Sequence, residues 1–394
     1  MNDFNAELEE RLDALREQNL FRQARRVDSP QSSRIIIDGK SFLNFSSNDY
    51  LGLANDPLLK EAAVRAIETY GVGAGASRLI SGSLAPFHEL EAALADFKRT
   101  EAALTFSTGY ATAVGTITAL LGKDDIIILD KLVHASIVDA AKLSGARIRV
   151  FKHNDLEDLE AKLRWTQDAR RQTPDARSLI VTESVFSMDG DAAPLKAIVE
   201  LKNKYGAWLM VDEAHATGII GENGRGLADE LGVSNQVEIQ MGTLGKALGS
   251  SGGYICGSRA LVDLLVNRAR SFIFSTAPLP AAAAAAMAAV RFSQSPEGER
   301  RRKSLRDRIQ DLKSAIGNRQ SAVDSAIVPM IIGKEQATLD AATQLRSHDI
   351  FVPAIRYPTV ARGSARLRIT LTAIHSADDV KVLSDNLQKI GNLK

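Results

Sequence analysis

A single cysteine, Cys256, in 394 residues leaves no partner for an internal disulfide and excludes a cysteine-rich metal site. Its place in the apolar run Tyr254-Ile-Cys256 reads as a small core residue. An excess of one charge is also missing. Lys+Arg 49 against Asp+Glu 48 leaves a formal charge of +1, so no net basic field draws nucleic acid or an anionic membrane, and small partners are expected. No run reaches the roughly 20 apolar residues that a membrane-spanning helix needs. The nearest approach, Leu279 to Val290, is mostly alanine and contains Pro280. The opening Met1-Asn-Asp-Phe-Asn-Ala-Glu-Leu-Glu-Glu is acidic and lacks the apolar stretch of a secretion signal, so the cytoplasm is the expected location. No internal repeat is apparent.

At about 150 residues per domain the chain accommodates two or three units. Phe4, Leu8, Leu12 and Leu15 recur at helical spacing, predicting an amphipathic N-terminal helix laid on another surface or on a partner subunit. Two apolar runs around Asp38-Gly39, from Arg34 to Phe45, predict a hairpin. From about residue 57 to 275, short apolar runs alternate with helical patterns: Leu104–Phe106, Ile126–Leu129, Ile148–Phe151, Leu179–Thr182, Trp208–Val211 and Tyr254–Cys256. That rhythm predicts an α/β fold with a mainly parallel sheet, whose ligands bind beyond the carboxyl ends of the strands. Pro278 and Pro280 introduce an alanine-rich helix expected to continue into the charged Glu297–Lys303 stretch. Strands at Ile327–Ile332, Phe351–Ile355 and Ala365–Leu371, with helices near Leu339–Ser347 and from Ser376, predict a smaller α+β unit. The expected division is 1–56 (helix and hairpin), 57–285 (large α/β domain) and 286–394 (C-terminal α+β domain).

Lys246, in Gly242-Thr-Leu-Gly-Lys-Ala-Leu-Gly-Ser-Ser-Gly-Gly253, follows a strand ending in Asp212-Glu-Ala-His215. A lysine amine and an aspartate are what pyridoxal 5'-phosphate requires, the first to hold its aldehyde and the second to keep its ring nitrogen protonated. Glycines around Lys246 let a planar ring approach, and Thr243 offers a hydroxyl to a phosphate. Ser107-Thr-Gly109-Tyr110 opens a helix after a strand, where amides bind phosphate, though ordinary capping accounts for it equally. His134 follows the Ile126–Leu129 strand; its ring either stacks on a cofactor or makes a structural hydrogen bond. Glu183-Ser-Val-Phe-Ser187-Met-Asp-Gly-Asp191 gathers polar groups at another strand end. Arg366 and Arg368 alternate by two and share a face, where either pairs with a carboxylate or stands solvated on the sheet.

Competing signatures fail on context. The Gly-Lys pair is no P-loop, because Gln240 and Ala247 occupy required positions. Gly71–Ala76 resembles a dinucleotide fingerprint but follows a helical stretch. Gly249–Gly253 matches a nucleophile elbow, yet a strand follows where that motif needs a helix. His215 has no companions for a metal site.

Together Phe45-Ser-Ser-Asn-Asp-Tyr-Leu-Gly-Leu53, Gly73-Ala-Gly-Ala-Ser-Arg78, Val185–Gly190, Val211–Gly218, Gly242–Lys246 and Arg366-Leu-Arg368 resemble the α-oxoamine synthases, in order and over nearly the whole chain. The resemblance implies a type I aminotransferase-like fold, a homodimer with sites at the subunit interface, and pyridoxal phosphate. It implies condensation of L-alanine with a pimeloyl thioester, carried by coenzyme A or an acyl-carrier protein, with loss of carbon dioxide, a step of biotin assembly. Lys246 would carry the cofactor, Asp212 face its ring nitrogen, His215 and Ser187 its phenolic oxygen, and His134 stack on the ring. Gly109, Tyr110 and Thr243 would hold the phosphate region, Arg22 and Thr359 the acyl substrate, and Arg368 the amino-acid carboxylate. Ala113 stands where relatives often have asparagine, and Ala361 where proline is common. Sibling acyltransferases using glycine with an acetyl or succinyl thioester, or serine with a long acyl chain, and a noncatalytic scaffold of the same fold are the alternatives.

Overall fold

The Asp38-Gly39 pair turns the chain back on itself. β1 (Arg34–Ile37) and β2 (Lys40–Asn44) pair antiparallel, with both turn residues at positive φ, 50° and 76°, the geometry that a two-residue hairpin turn demands. This structure is a computed structural model that describes residues 3–317 and 325–391.

The apolar runs of the middle of the chain form one sheet: β3 (Ala102–Phe106), β4 (Ile126–Asp130), β5 (Arg147–Phe151), β6 (Ser178–Glu183), β7 (Trp208–Asp212), β8 (Ile239–Thr243) and β9 (Gly253–Gly257). Their order is β3-β9-β8-β7-β6-β4-β5, and only β9 runs against its neighbours. Helices cover both faces, so Ile126, Ile127 and Ile128 are all fully buried. This explains the unbroken apolar runs, each such side chain contributing about 1.5–3 kcal/mol. The apolar pattern did not reveal β8, because Gln240 and Gly242 interrupt it. Gln240 Nε2 donates to the Ser234 carbonyl at 3.1 Å, and a Cβ on Gly242 would lie 2.3 Å from Tyr254 Oη.

Two expectations are corrected. The alanine-rich helix does not run into the charged stretch: it ends at Ser293, and a second helix spans Pro296–Ile316. Ser295 caps the new helix by accepting from Gly298 N, and Pro296 fits its first turn while lacking the amide to extend the previous one. The run Phe351–Ile355 is two short strands in different sheets. After β10 (Ile327–Gly333), β11 (Ile350–Phe351) pairs parallel with β2, whereas β12 (Ala354–Ile355) pairs with β13 (Ala365–Thr370). Pro353 sits between the two and cannot donate to a ladder. Sheet order in the second case is β10-β13-β12.

The N-terminal helix, Phe4–Glu17, buries no residue and leaves Phe4 71% exposed. Among the described residues, none buries its apolar stripe. Cys256 is fully buried, as expected. Among the described residues, no helix is long and apolar enough to cross a membrane.

Candidate active site

Three strands deliver polar side chains to one edge of the central sheet. Glu183 ends β6 and Asp212 ends β7 in register with it, while Thr243 ends β8. Beyond the strand end the Asp212 carboxylate accepts from Ala214 N at 2.9 Å. Next to it Glu213 turns the other way, into a buried pair with Lys98, and accepts from Ala228 N at 2.9 Å. The neighbouring carboxylate is thereby neutralised, and Asp212 is the one presented to the site.

Lys246 reaches back over this edge, its Nζ 2.8 Å from His215 Nε2. Burial brings its ammonium down to about 8 against the opposing charges of Asp212 and Glu183, so the neutral amine is accessible near physiological pH. Burial also pushes the Asp212 carboxyl up, opposed by Lys246, the Ala214 amide and His134. Burial and the Lys246 charge hold His215 well below its ordinary value, hence neutral. His215 Nδ1 lies 2.6 Å from Tyr50 Oη, and Tyr50 Oη donates to Asn48 Oδ1 at 3.2 Å. The Tyr50 oxygen then accepts the Nδ1 proton, leaving Nε2 as acceptor toward Lys246.

Sequence reasoning missed Tyr50 and Glu183 as site residues. Tyr50 is fully buried, and burial pushes its hydroxyl up to about 12. Burial, and then the Asp212 charge, pushes the Glu183 carboxyl up to about 8. Glu183 Oε2 accepts from Ser187 N at 3.2 Å, and Oε1 is buried with no hydrogen-bond partner among the described residues. The presence of both residues in the quoted motifs was the only available signal.

The other expected residues fall into groups. His134 caps the helix Ala135–Ser144 through Nδ1; its ring is otherwise exposed and within electrostatic reach of Asp212 and Lys246. Ser187 is buried, and its carbonyl accepts from Arg368 Nε at 2.6 Å. Arg368 and Arg366 are each 5% exposed, which excludes solvated arginines. Arg366 is neutralised by Asp189 at 2.6 Å. Arg368 has neutral acceptors, the Ser187 carbonyl, Asn48 and Thr370, and no carboxylate partner among the described residues. A buried cation so placed suits an anion arriving from outside.

Gly109 opens the helix Gly109–Leu120, capped by Thr108, and its start packs against Gly253. A Cβ on Gly253 would come within 2.9 Å of Gly109 Cα and 2.4 Å of Thr112 Oγ1. Gly253 is also the register partner of Thr243, so this glycine joins the two halves of the expected phosphate region. The Tyr110 side chain is 50% exposed and donates to Asp139 at 3.0 Å. Ala113 is fully buried in the apolar core, a packing position rather than a lost polar contact. Arg22 Nη2 donates to Thr359 Oγ1 at 3.2 Å; the pair makes no direct hydrogen bond to the Lys246 cluster among the described residues. Ala361 is exposed, and its carbonyl accepts from Ser364 N at 3.1 Å.

These donors match pyridoxal phosphate. A lysine with a depressed ammonium stands beside a buried carboxylate, an imidazole face is open, and a helix N-terminus lies on glycine. A family model described as "Aminotransferase class I and II" matches residues 40–387. The 8-amino-7-oxononanoate synthase of Geotalea daltonii is 49% identical over 94% of this chain and 94% of its own. That of Geobacter sulfurreducens is 46% identical over 96% of each. Among solved structures, a serine palmitoyltransferase variant from S. paucimobilis with bound PLP-myriocin aldimine superposes with TM-score 0.91 at 29% identity, covering 100% of this chain and 99% of that one. The chain belongs to the class I and II aminotransferase family, and within it to the pyridoxal phosphate-dependent α-oxoamine synthases.

Proposed function

We propose that this chain condenses L-alanine with a pimeloyl thioester to give 8-amino-7-oxononanoate, carbon dioxide and free thiol, a step of biotin assembly in the cytoplasm. The near full-length likeness to 8-amino-7-oxononanoate synthases supports the substrates. The observation that carries the chemistry is the Lys246 amine, held 2.8 Å from a neutral His215 and facing the buried Asp212.

When bound, pyridoxal phosphate supplies an aldehyde that links covalently to amines and a ring that accepts carbanion electrons. Lys246 would hold it, Asp212 would face its ring nitrogen as a carboxylate, and His134 would lie on its face. The helix start at Gly109 and Tyr110, with Thr243, would take the phosphate, and Ser187 with His215 the phenolic oxygen. With alanine in place, the Lys246 Nζ, its ammonium brought down by burial to about 8, would take the Cα proton, a contribution of about 10²–10⁴-fold for a positioned base. Arg368 pairs with the alanine carboxylate and fixes which Cα bond faces Lys246. Tyr50 would fix the tautomer of the neutral His215 and keep its Nε2 toward the reacting centre. Arg22 and Thr359 meet the acyl chain, delivered on coenzyme A or an acyl-carrier protein, and a second copy of the chain completes a homodimer.

Carboxyl-labelled L-alanine tests the reaction. Labelled carbon dioxide should appear only when a pimeloyl thioester is present, in equal amount with free thiol. Release of thiol without labelled gas would overturn the reading.

A further inference from the structure

His153 has no part in the chemistry above, yet both of its ring nitrogens are bound by carboxylates. Nδ1 lies 2.9 Å from Asp130 Oδ1 and Nε2 lies 2.7 Å from Asp191 Oδ2. A carboxylate only accepts, so both nitrogens must donate, and the ring is an imidazolium. Burial lowers its pKa, but the hydrogen bonds and charges of Asp130 and Asp191 outweigh this and raise it to about 10. Phe186 packs edge-on to the ring, with centroids 4.4 Å apart.

The two carboxylates stand at the ends of neighbouring strands, one on β4 and one in the segment that follows β6. Asp130 ends β4 and shapes the turn leading to His134: its Oδ1 accepts from Leu132 N at 2.8 Å and its Oδ2 from Asn154 N at 2.9 Å. Asp191 closes the loop that contains Ser187, its carbonyl accepting from Phe186 N at 2.9 Å. Asn154 reinforces the junction, donating from Nδ2 to Asp191 Oδ2 at 3.1 Å and to the Ala192 carbonyl at 3.2 Å.

We propose that His153 is a positioning residue: held as a cation between Asp130 and Asp191, it clamps the turn carrying His134 to the loop carrying Ser187 and fixes the spacing of these two segments at the sheet edge that receives the cofactor. The proposal rests on the function assigned to that pocket. Its ring nitrogens are taken up by protein groups, so His153 acts through the two aspartates. A brace of purely structural importance would lower stability and leave cofactor affinity alone, so the two must be measured separately.

The test uses His153→Gln, Asp191→Asn and the double variant, each stripped of pyridoxal phosphate and titrated back with it. Wild type should bind the cofactor, and each single variant should raise the dissociation constant about tenfold, the loss of roughly one charge-assisted hydrogen bond. The double variant should be no worse than the weaker single one, because both changes open the same clamp. Thermal midpoints of the stripped proteins should stay close together. If His153→Gln does not fold, Asp191→Asn, at a side chain 38% exposed, makes the same comparison. Variants that bind as wild type does would overturn the clamp alone, as would losses that simply add in the double variant. Wild type that fails to take up the cofactor would overturn the pocket's assignment and the clamp with it. In ¹⁵N spectra of histidine-labelled stripped protein, the His153 ring should carry two protons at pH 8; a neutral ring there would also overturn the proposal.

Discussion

Replacing Arg368 by alanine removes a buried charge whose protein partners are all neutral. A charge-assisted pair is worth roughly 1.5–3 kcal/mol, so Arg368→Ala should weaken L-alanine binding at least tenfold in a spectral titration. Arg366→Ala leaves Asp189 unpaired instead and should lower the thermal midpoint with little effect on alanine affinity. Reversal of those two effects would exchange the roles. Glu183 offers a test through pH. Its folded pKa is about 8 against an ordinary 4.5, so its contribution to stability is full below 4.5 and is lost as pH rises toward 8. Glutamine mimics the protonated form throughout. Glu183→Gln should therefore raise the thermal midpoint of the cofactor-free protein at pH 8 and change it little at pH 4.5. Equal shifts at both would show that Glu183 is ionised in the folded chain.

Gly253→Ala tests how the start of one helix is seated on a strand. The added Cβ would meet Gly109 Cα at 2.9 Å and Thr112 Oγ1 at 2.4 Å. Overpacking of this kind costs about 1–3 kcal/mol, and displacing the helix start should weaken pyridoxal phosphate binding. Gly122→Ala, with nothing within 4 Å of its Cβ, should leave affinity unchanged. Elements of this fold were legible in the sequence where burial on both faces demands an unbroken apolar run, as in Ile126-Ile-Ile-Leu129. They were not legible where an interior position is polar or bare for the sake of a neighbour, as with Gln240 and Gly242 in β8. Lys246 stood out because its chemistry is specific and its surroundings are glycine-rich, and Asp212 and His215 because they close an apolar strand ahead of it. Glu183 did not, since its character comes from sharing a register with Asp212 on the next strand, and Tyr50 acquires its partner His215 only through long-range folding. Pro353 and Pro296 were visible, but what each one divides depends on where the flanking segments dock.

At the scale of the whole molecule, the sheet supplies a rigid edge at which Glu183, Asp212 and Thr243 converge, and the C-terminal strand β13 brings Arg368 to Asn48 at 3.2 Å. The same edge suits more than one amino acid and thioester, so the proposed reaction stands or falls on substrate choice. An extra methyl on the amino acid contributes about 1–3 kcal/mol, whereas several methylenes at about 0.8 kcal/mol each separate a pimeloyl from an acetyl chain. Discrimination between acyl chains should therefore exceed discrimination between amino acids. The decisive measurement is kcat/KM of the pyridoxal phosphate-loaded enzyme for L-alanine and glycine, each with pimeloyl and acetyl thioesters, on both coenzyme A and an acyl-carrier protein. The highest value is expected for L-alanine with a pimeloyl thioester; an optimum for glycine with an acetyl thioester would overturn the proposed reaction.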